Sequence, residues 1–298
     1  MHPGQLTPTV AEVADLVRTQ FPEWADRPVR PVDSPGTVNA LFRLGDDLVA
    51  RLPLNPGDPA ETRIEHEHEF ALAERFRAGD LPVPTPQPLA IGAPGTGFPL
   101  PWSVWQWLPG RSAYDLEVGD DLGVARDVAA YVRAVRALDT GGAVFTGTNR
   151  GGELRDHDDT VAQWIADARG LLDTDAVTRL WHDLRDTPHD PAADTWTHGD
   201  LMPGNLLVAP GGLTAVIDVG QAGIADPAVD LAPAWNLFGH AARAVFREAV
   251  ATDDETWRRG RAWSVVTGIG AVAYYRVTNP LMSQTGSRTL AALLGDDG

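Results

Sequence analysis

The sequence contains no cysteine and no lysine, and all 24 of its basic residues are arginines. Without cysteine, disulfide bonds and thiolate metal sites are excluded. The most apolar segment, residues 265–275, is too short for a membrane span, which needs about 20 residues. The amino terminus lacks a basic stretch followed by an apolar one, so no secretory signal is evident and the cytoplasm is the expected location.

Positive charge is scarce, because 41 acidic residues outnumber the arginines and give a formal net charge of −17. This balance argues against nucleic acid and anionic membranes as partners. An acidic field instead favours a cationic ligand, whose association rate it can raise by about 10–10³-fold. The alternative is that the acidity reflects the solubility requirements of the source organism. The length of 298 residues allows one large domain or two lobes.

The most informative stretch is residues 197–230, THGDLMPGNLLVAPGGLTAVIDVGQAGIADPAVD. Two short apolar runs, 206–208 and 215–217, flank a Pro-Gly-Gly turn, which predicts two buried strands in a hairpin. The hairpin would bring Asn205, before the first strand, close to Asp218, at the end of the second. Two oxygen-bearing side chains placed in this way suit Mg²⁺, which takes few protein ligands and keeps water or phosphate oxygens in its other positions.

Asp200 lies five residues before Asn205. This is the spacing between the base aspartate and the metal-binding asparagine in the protein-kinase catalytic loop. The alternative is that both residues only cap a turn. Because His198 and Asp218 also fall at set spacings around the two apolar runs, the combination is more specific than any one residue. The stretch therefore predicts a phosphoryl-transfer site.

The motifs HGDLMPGN, VIDVG and ADPAVDLA in this stretch resemble the aminoglycoside phosphotransferase family, small-molecule kinases with a protein-kinase-like fold. The resemblance implies an α+β, bilobal fold. Residues 1–108 would form a small, β-rich, nucleotide-binding lobe with a hinge strand at its end. Residues 109–298 would form a larger, mostly helical lobe with the catalytic loop and the metal site.

The resemblance also implies roles for individual residues of the stretch. Asp200 would be the catalytic base, and His198 a supporting residue of its loop. Asn205 and Asp218 would be the Mg²⁺ ligands. Asp226 and Asp230, in ADPAVDLA, would support the fold rather than take part in the chemistry.

In the amino-terminal part, residues 6–19 predict an amphipathic helix, and residues 32–53 predict a β-hairpin. The glycine-containing turn at the entrance of this hairpin is either a plain turn or a loop that lays N–H groups over phosphates. In the resembling family this loop covers the nucleotide. The resemblance therefore implies nucleotide contacts for Gly36, Thr37 and Asn39.

Arg51 occupies the strand position at which protein kinases keep the lysine that binds the α- and β-phosphates. Arginine can supply charge-assisted hydrogen bonds there through its planar fork, although a surface arginine at a strand end is the alternative. The next segment predicts a helix that buries Ile64, Phe70, Ala71, Leu72 and Ala73. Glu67, three residues after Ile64 and three before Phe70, leans toward that face and is the candidate partner of Arg51, whereas Glu69 is expected to be solvated.

A proline-rich connection then leads to an aromatic strand, WSVWQWLPG. By resemblance this strand is the hinge, where the backbone of Gln106 and Leu108 would meet the purine base. Beyond it, the apolar spacing predicts helices over 120–139, 158–172, 175–186, 235–250 and 257–275.

The resemblance implies a nucleotide- and Mg²⁺-dependent O-phosphotransferase with ATP or GTP as donor and a hydroxyl of a small, cationic molecule as acceptor. An aminoglycoside antibiotic is the first expected acceptor, in resistance or self-protection. Macrolide kinases and metabolic kinases of the choline, homoserine or sugar-amine type are alternatives. A non-catalytic nucleotide-binding module is a weaker alternative, supported only by the missing lysine. A metal-dependent hydrolase built on His198 and Asp200 would need ligands that no spacing supplies.

Overall fold

The computed structural model describes residues 4–33, 36, 38–95, 97–147 and 150–295. The chain divides into two compact units. The first consists of Met1–Ala78 and Pro84–Pro109, and the second of Gly79–Val83 and Gly110–Gly298. Strands and helices occur in both units, which confirms the predicted α+β class.

The first unit is built on an antiparallel sheet. Its strands are β1 (Val29–Val32), β2 (Asn39–Leu44), β3 (Leu48–Pro53), β4 (Pro88–Gly92) and β5 (Trp102–Gln106). Their order across the sheet is β1-β2-β3-β5-β4, and each neighbouring pair is antiparallel. The predicted hairpin is confirmed, because β2 and β3 pair from Asn39 opposite Pro53 to Leu44 opposite Leu48.

Helix α1 (Val10–Gln20) forms in the predicted segment, but it begins four residues after and ends one residue beyond the predicted bounds of 6–19. Thr9 caps it: its hydroxyl accepts the N–H of Glu12, and the carboxylate of Glu12 accepts the N–H of Thr9 at 2.7 Å. This capping box satisfies N–H groups that have no partner inside the helix. The apolar spacing buries Val13, Leu16 and Val17 in the core beside the sheet, as an amphipathic helix requires.

Helix α2 (Pro59–Ala78) forms as predicted and buries Leu72 and Ala73 as expected, but Ala71 is exposed and the first half of the helix buries other residues than predicted. Ile64, expected inside, is 64% exposed. The buried residues are Thr62, His66, Leu72, Ala73 and Phe76. Because this face begins with a threonine and a histidine, apolar spacing gives the wrong rotation for the first half of the helix. Glu69, three residues after His66, shares the inward face, whereas Glu67 does not.

The second unit is mostly helical, as the resemblance implies. Its helices are α3 (Leu122–Arg136), α4 (Asp158–Asp167), α5 (Thr174–Leu184), α6 (Pro233–Asn236), α7 (His240–Val250), α8 (Asp254–Tyr275) and α9 (Pro280–Leu294). The predicted helices are confirmed with altered bounds: α3 and α4 are shorter than predicted, α5 begins one residue and ends two residues earlier, and α8 begins three residues earlier. The segment predicted over 235–250 is divided between α6 and α7. Helix α8 is buried along most of its length and packs on α4, α5 and α9.

Short strands position the stretch that carries the motifs. They are β6 (Arg111–Ser112), β7 (Thr195–Thr197), β8 (Leu206–Ala209), β9 (Gly212–Val216) and β10 (Gly223–Ala225). Strand β8 lies between β6 and β9, and β7 pairs with β10, all in antiparallel fashion. The predicted β8–β9 hairpin is therefore confirmed. Within the described part of the chain, no helix has both the length and the apolar content needed to cross a membrane.

Candidate active site

The 198–205 loop connects β7 to β8 and carries His198, Asp200 and Asn205. Its backbone bonds to itself: the N–H of Met202 donates to the carbonyl of Asp200 at 2.8 Å, and the N–H of Asn205 donates to the carbonyl of Met202 at 2.9 Å. Pro203 opens the final turn, a position at which its missing N–H costs no hydrogen bond. These bonds give the loop a defined shape before any ligand is considered.

Asp230, whose side chain is fully buried, supports the loop through hydrogen bonds. One carboxylate oxygen accepts the N–H of His198 at 2.7 Å, and the other accepts the N–H of Gly199 at 2.9 Å. Burial raises the pKa of Asp230, and the two N–H bonds oppose that rise. Both bonds need the carboxylate as an acceptor, so Asp230 supports the loop as the resemblance implies.

Gly199 cannot be replaced without distortion. Its φ is +80°, and a Cβ added there would lie 2.3 Å from the carbonyl oxygen of Gln221. A side chain is disfavoured by the left-handed backbone and has no space. The close approach to residue 221 brings the loop against the segment that follows β9.

His198 is buried and connects the same two segments. Its Nε2 lies 3.1 Å from the carbonyl oxygen of Ile217, and its Nδ1 lies 3.3 Å from the N–H of Asp200. A carbonyl requires a donor and an N–H requires an acceptor, so these contacts assign the proton to Nε2. His198 is therefore a buried side chain whose Nδ1 accepts the backbone N–H of Asp200.

Asp200 and Asn205 are in direct contact. The side-chain nitrogen of Asn205 donates to the carbonyl of Asp200 at 2.8 Å and to its carboxylate at 3.2 Å. The side chain of Asp200 is 25% exposed, so its carboxylate is accessible from the protein surface. The donors of Asn205 are turned toward Asp200, which leaves the amide oxygen as the group that can bind a cation.

Asp218 follows the hairpin strand β9. The N–H of Ile217 donates to the carbonyl of Asn205 at 2.9 Å, so the residue before Asp218 is bonded to the residue before β8. Asp218 has φ +65° and ψ +64°, a left-handed conformation that is uncommon for residues other than glycine. Such backbone strain is concentrated at functional sites, where the surrounding structure maintains it.

The side-chain oxygens of Asn205 and Asp218 suit Mg²⁺ better than a metal ion whose ligands all come from the protein. The described residues contain no group of three or more histidine, aspartate or glutamate side chains placed to hold an ion. An amide oxygen from Asn205 and a carboxylate from Asp218 are hard donors, and Mg²⁺ commonly uses one or two such protein ligands with substrate phosphates. The residues present therefore agree with the predicted cation.

Arg150 is a residue of this site that sequence reasoning missed. Its Nη1 donates to the carboxylate of Asp200 at 2.8 Å and to the carbonyl of Gly199 at 3.0 Å. It lies 50 positions before Asp200, in a glycine-rich segment with no regular spacing. No periodicity or motif relates the two positions, so only the fold brings them together.

In the first unit, Arg51 on β3 forms an ion pair with Glu69 of α2 at 2.5 Å. The two side chains are only 17% and 13% exposed. The prediction that Glu67 would be the partner is wrong: Glu67 is 54% exposed and pairs with Arg63 one turn away at 2.9 Å. The reason is the rotation of α2, which turns position 69 toward the sheet. The guanidinium of Arg51 also lies over the ring of Trp105.

The other residues expected to contact a nucleotide belong to the first unit as well. Asn39 is the first residue of β2, and Thr37 lies outside the described residues. Gln106 ends β5, and its backbone N–H already donates to Gln87 at 2.8 Å. Leu108 is buried. Together with Gly36, which precedes β2, these positions are kept as predictions for nucleotide binding.

The chain matches the model of the phosphotransferase enzyme family, APH, over residues 29–280. Because this match includes most of the sequence, the chain belongs to that family. Among curated proteins, it is 29% identical over 159 residues to an aminoglycoside 3'-phosphotransferase of Escherichia coli. That similarity covers 45% of this chain and 52% of the relative, so the chain spans about half the length of the curated relatives it matches.

Solved structures support the fold. The chain resembles the GDP complex of wild-type aminoglycoside 2'-phosphotransferase-IIIa with a TM-score of 0.74 at 18% identity, covering 96% of this chain and 99% of that one. It also resembles the apoenzyme of a macrolide 2'-phosphotransferase from Brachybacterium faecium, with a TM-score of 0.61 at 20% identity over 97% and 99% of the two chains. The predicted protein-kinase-like fold of the aminoglycoside phosphotransferases is therefore confirmed.

Proposed function

We propose that the protein is a nucleotide- and Mg²⁺-dependent phosphotransferase that acts on a hydroxyl of a small, cationic molecule, with an aminoglycoside as the first acceptor to test. The contact between Asn205 and Asp200 carries this proposal, because it places the candidate metal ligand beside the candidate base. The family, the name of the curated relative and the net charge of −17 support the choice of acceptor. A cytoplasmic location, where nucleoside triphosphate is available, is part of the proposal.

In the proposed reaction, the acceptor oxygen forms a bond to the γ-phosphorus while the bond from that phosphorus to the bridging oxygen breaks. The nucleoside diphosphate leaves, and the hydroxyl proton passes to the carboxylate of Asp200. His198 and Asp230 fix the backbone on either side of Gly199 through hydrogen bonds. Phosphoryl transfer depends mainly on positioning and electrostatics, so a rigid loop suits this chemistry.

Asn205, through its amide oxygen, and Asp218, through its carboxylate, would hold the Mg²⁺. When bound, the ion supplies positive charge that offsets the negative charge of the phosphate oxygens. The hydrogen bond between Ile217 and Asn205 ties together the two ends of the β8–β9 hairpin at which these ligands lie. This connection explains how residues 13 positions apart can serve one ion.

Nucleotide binding is assigned to residues of the first unit. Arg51, oriented by its ion pair with Glu69, would bind the phosphates through its planar guanidinium. The absence of lysine does not weaken this assignment, because an arginine held by a carboxylate supplies the same charge. Contacts of the nucleotide with the turn before β2 and with the end of β5 belong to the same proposal.

A coupled kinase assay with ATP and with GTP, across aminoglycosides, macrolides and small amino alcohols, tests the proposal. The wild type is expected to phosphorylate an aminoglycoside. Asp200→Asn is expected to lower turnover by about 10²–10⁴-fold, the usual contribution of a positioned base. Its nucleotide affinity and melting temperature are expected to stay close to wild type, because asparagine keeps the shape of the side chain.

Near-normal phosphorylation by Asp200→Asn would contradict the assignment of the base. Transfer only to macrolides or amino alcohols would contradict the aminoglycoside as acceptor but would still support the proposed phosphoryl transfer. Nucleotide binding by the wild type without transfer to any acceptor would favour the non-catalytic module.

A further inference from the structure

The guanidinium of Arg150 uses one nitrogen for two bonds at the candidate base. Nη1 donates both to the carboxylate of Asp200 and to the carbonyl of Gly199. In the part of the chain that the structure describes, Nε and Nη2 of this side chain donate to no residue. The side chain is 39% exposed, so these remaining N–H groups can meet a ligand. A guanidinium with one edge on a carboxylate and another edge open is suited to bind a second anion.

The backbone beside Arg150 is fixed by contacts of the next residue with the rest of the fold. The next residue, Gly151, has φ +118°, and a Cβ added to it would lie 2.3 Å from the Cβ of Ala225. The carbonyl of Gly151 accepts the N–H of Asp226 at 3.0 Å. Asp226 is itself buried and paired with Arg259 at 2.9 Å. The backbone beside Arg150 is thus attached to the 225–230 segment that also supports the 198–205 loop.

The local charge gives Arg150 a specific task. The 198–205 loop, HGDLMPGN, contains no arginine or lysine, so the cation bonded to the base comes from another segment. During phosphoryl transfer, negative charge is spread over the three equatorial oxygens of the phosphoryl group, next to the base that receives the acceptor proton. A cation 2.8 Å from that base is close to this charge as well.

We propose that Arg150 is a catalytic residue that stabilises the transferring phosphoryl group through its free N–H groups while Nη1 holds Asp200. The proposal rests on the proposed phosphotransferase function. The bond changes are those given above, with the hydroxyl proton passing to Asp200 and the nucleoside diphosphate leaving. Arg150 exchanges no proton in this step, because its task is electrostatic.

The test measures how strongly the protein binds a mimic of the transferring phosphoryl group, with no acceptor present. Calorimetry gives the affinity of the wild type for MgADP or MgGDP, alone and with aluminium fluoride, which mimics the transferring phosphoryl group. In Arg150→Gln, the affinity for the diphosphate is expected to stay within about threefold of wild type. Aluminium fluoride is expected to increase the diphosphate affinity of this variant about 10²–10³-fold less than it increases that of the wild type. This is the usual loss when one donor to a developing oxyanion is removed. With an acceptor, kcat is expected to fall by a similar factor and KM to change little.

Two further variants separate this role from a structural one. Arg155→Gln removes the same charge from the same segment, but Arg155 is 52% exposed and pairs with Asp186, so wild-type behaviour is expected. Arg150→Lys keeps the charge and is expected to retain more of the fluoride-dependent tightening than Arg150→Gln. Arg150→Lys also provides the comparison with wild type if the glutamine variant does not fold.

Fluoride-dependent tightening in Arg150→Gln equal to that of wild type would overturn the proposal. Faster turnover in that variant would also overturn the proposal. It would mean that Arg150 occupies the position beside Asp200 that a cationic acceptor has to take. If Arg150→Gln loses the fluoride-dependent tightening that the wild type shows, but the wild type phosphorylates no acceptor, the role of Arg150 is supported and the proposed acceptor class is wrong. The two proposals therefore fail by different observations.

Discussion

The buried carboxylate of Asp230 accepts the backbone N–H of Gly199 at 2.9 Å, immediately before the candidate base. The orientation of Asp200 therefore depends on a residue 30 positions later that no substrate can reach. The second oxygen of Asp230 accepts the N–H of His198 at 2.7 Å, so one side chain fixes two consecutive peptide groups. Activity is expected to be sensitive to this buried carboxylate even though it takes no part in the bond changes.

Asp230→Asn is expected to lower both stability and turnover. An amide offers one acceptor oxygen, and its NH₂ group would face one of the two N–H donors. A buried donor left without a partner costs about 1–3 kcal/mol, which should appear as a lower free energy of unfolding in urea. Asp183→Asn is the matched control, because Asp183 is 62% exposed in a surface ion pair with Arg258. Equal stability and activity of the two variants would contradict the support assigned to Asp230.

The ion pair between Arg51 and Glu69 predicts unequal effects at two glutamates of one helix. Glu69→Gln removes the charge that orients Arg51 and is expected to weaken nucleotide binding by about 1–2 kcal/mol, roughly 5–30-fold. Glu67→Gln alters an exposed contact with Arg63 and is expected to leave the affinity within about twofold, because exposed pairs contribute little. Titration calorimetry with ATP on both variants measures the difference. The reverse order would restore Glu67 as the partner of Arg51.

These two glutamates also show where sequence reasoning works and where it fails. The helix could be predicted from its apolar residues and the glycine after it, and so could the burial of Leu72 and Ala73, but the rotation of its first half could not. Ile64 suggested one face, yet it is 64% exposed, while Thr62 and His66 are buried. Apolar spacing reports the buried face only when that face is apolar. A face that includes an ion pair with the sheet does not follow this rule.

The hairpin could be predicted because local signals agree there. Apolar runs of strand length, a glycine turn and polar residues at the ends all indicate the same pairing, so the contact between Asn205 and Ile217 follows from the sequence. Arg150 has no such signal. Its contact with Asp200 depends on the packing of Gly151 against Ala225, and such distant contacts arise only from the complete fold.

Stability is expected to depend on pH through His66. This side chain is buried, and its Nε2 lies 3.3 Å from the carbonyl of Pro101. Burial lowers the pKa of His66 below its ordinary value of 6.5, although the bond to Pro101 opposes the shift. The unfolded chain therefore binds the proton more readily, so the contribution of neutral His66 is present above the unfolded pKa and is lost as the pH falls toward the folded pKa.

Urea unfolding between about pH 8 and pH 5, the range in which histidine titrates, measures this loss. His66→Gln is expected to show a smaller decrease in the free energy of unfolding over that range than wild type. His68→Gln, on the exposed side of the same helix, is expected to keep the wild-type decrease. Equal slopes for wild type and both variants would contradict the role of His66.

The proposed Mg²⁺ ligands predict a metal-dependent defect. Asp218→Asn removes a charged ligand and is expected to weaken Mg²⁺ binding or activity by at least about 10–100-fold, the range seen even for residues one step removed from a metal. A higher Mg²⁺ concentration for half-maximal activity, with an unchanged melting temperature, is the expected result. Asp254→Asn, at a 94% exposed carboxylate, is the control. Activity that persists in wild type after chelation of Mg²⁺ would contradict the site.

Gly151 connects the fold to the proposed role of Arg150, and its substitution tests that connection. Gly151→Ala would place a Cβ 2.3 Å from the Cβ of Ala225, on a backbone with φ +118°. The chain must move to relieve this overlap, which shifts Arg150 away from Asp200. Turnover is therefore expected to fall toward that of Arg150→Gln, together with a loss of about 1–3 kcal/mol from backbone strain.

Gly147→Ala provides the matched control for this last prediction. Gly147 lies in the same segment and also has a positive φ, +77°, but a Cβ added there meets no atom within 4 Å. It carries the backbone strain without the overlap, so a loss of stability with near-normal turnover is expected. If both alanine variants lose turnover equally, strain alone accounts for the effect. If Gly151→Ala retains full turnover, the contact with Ala225 does not position Arg150.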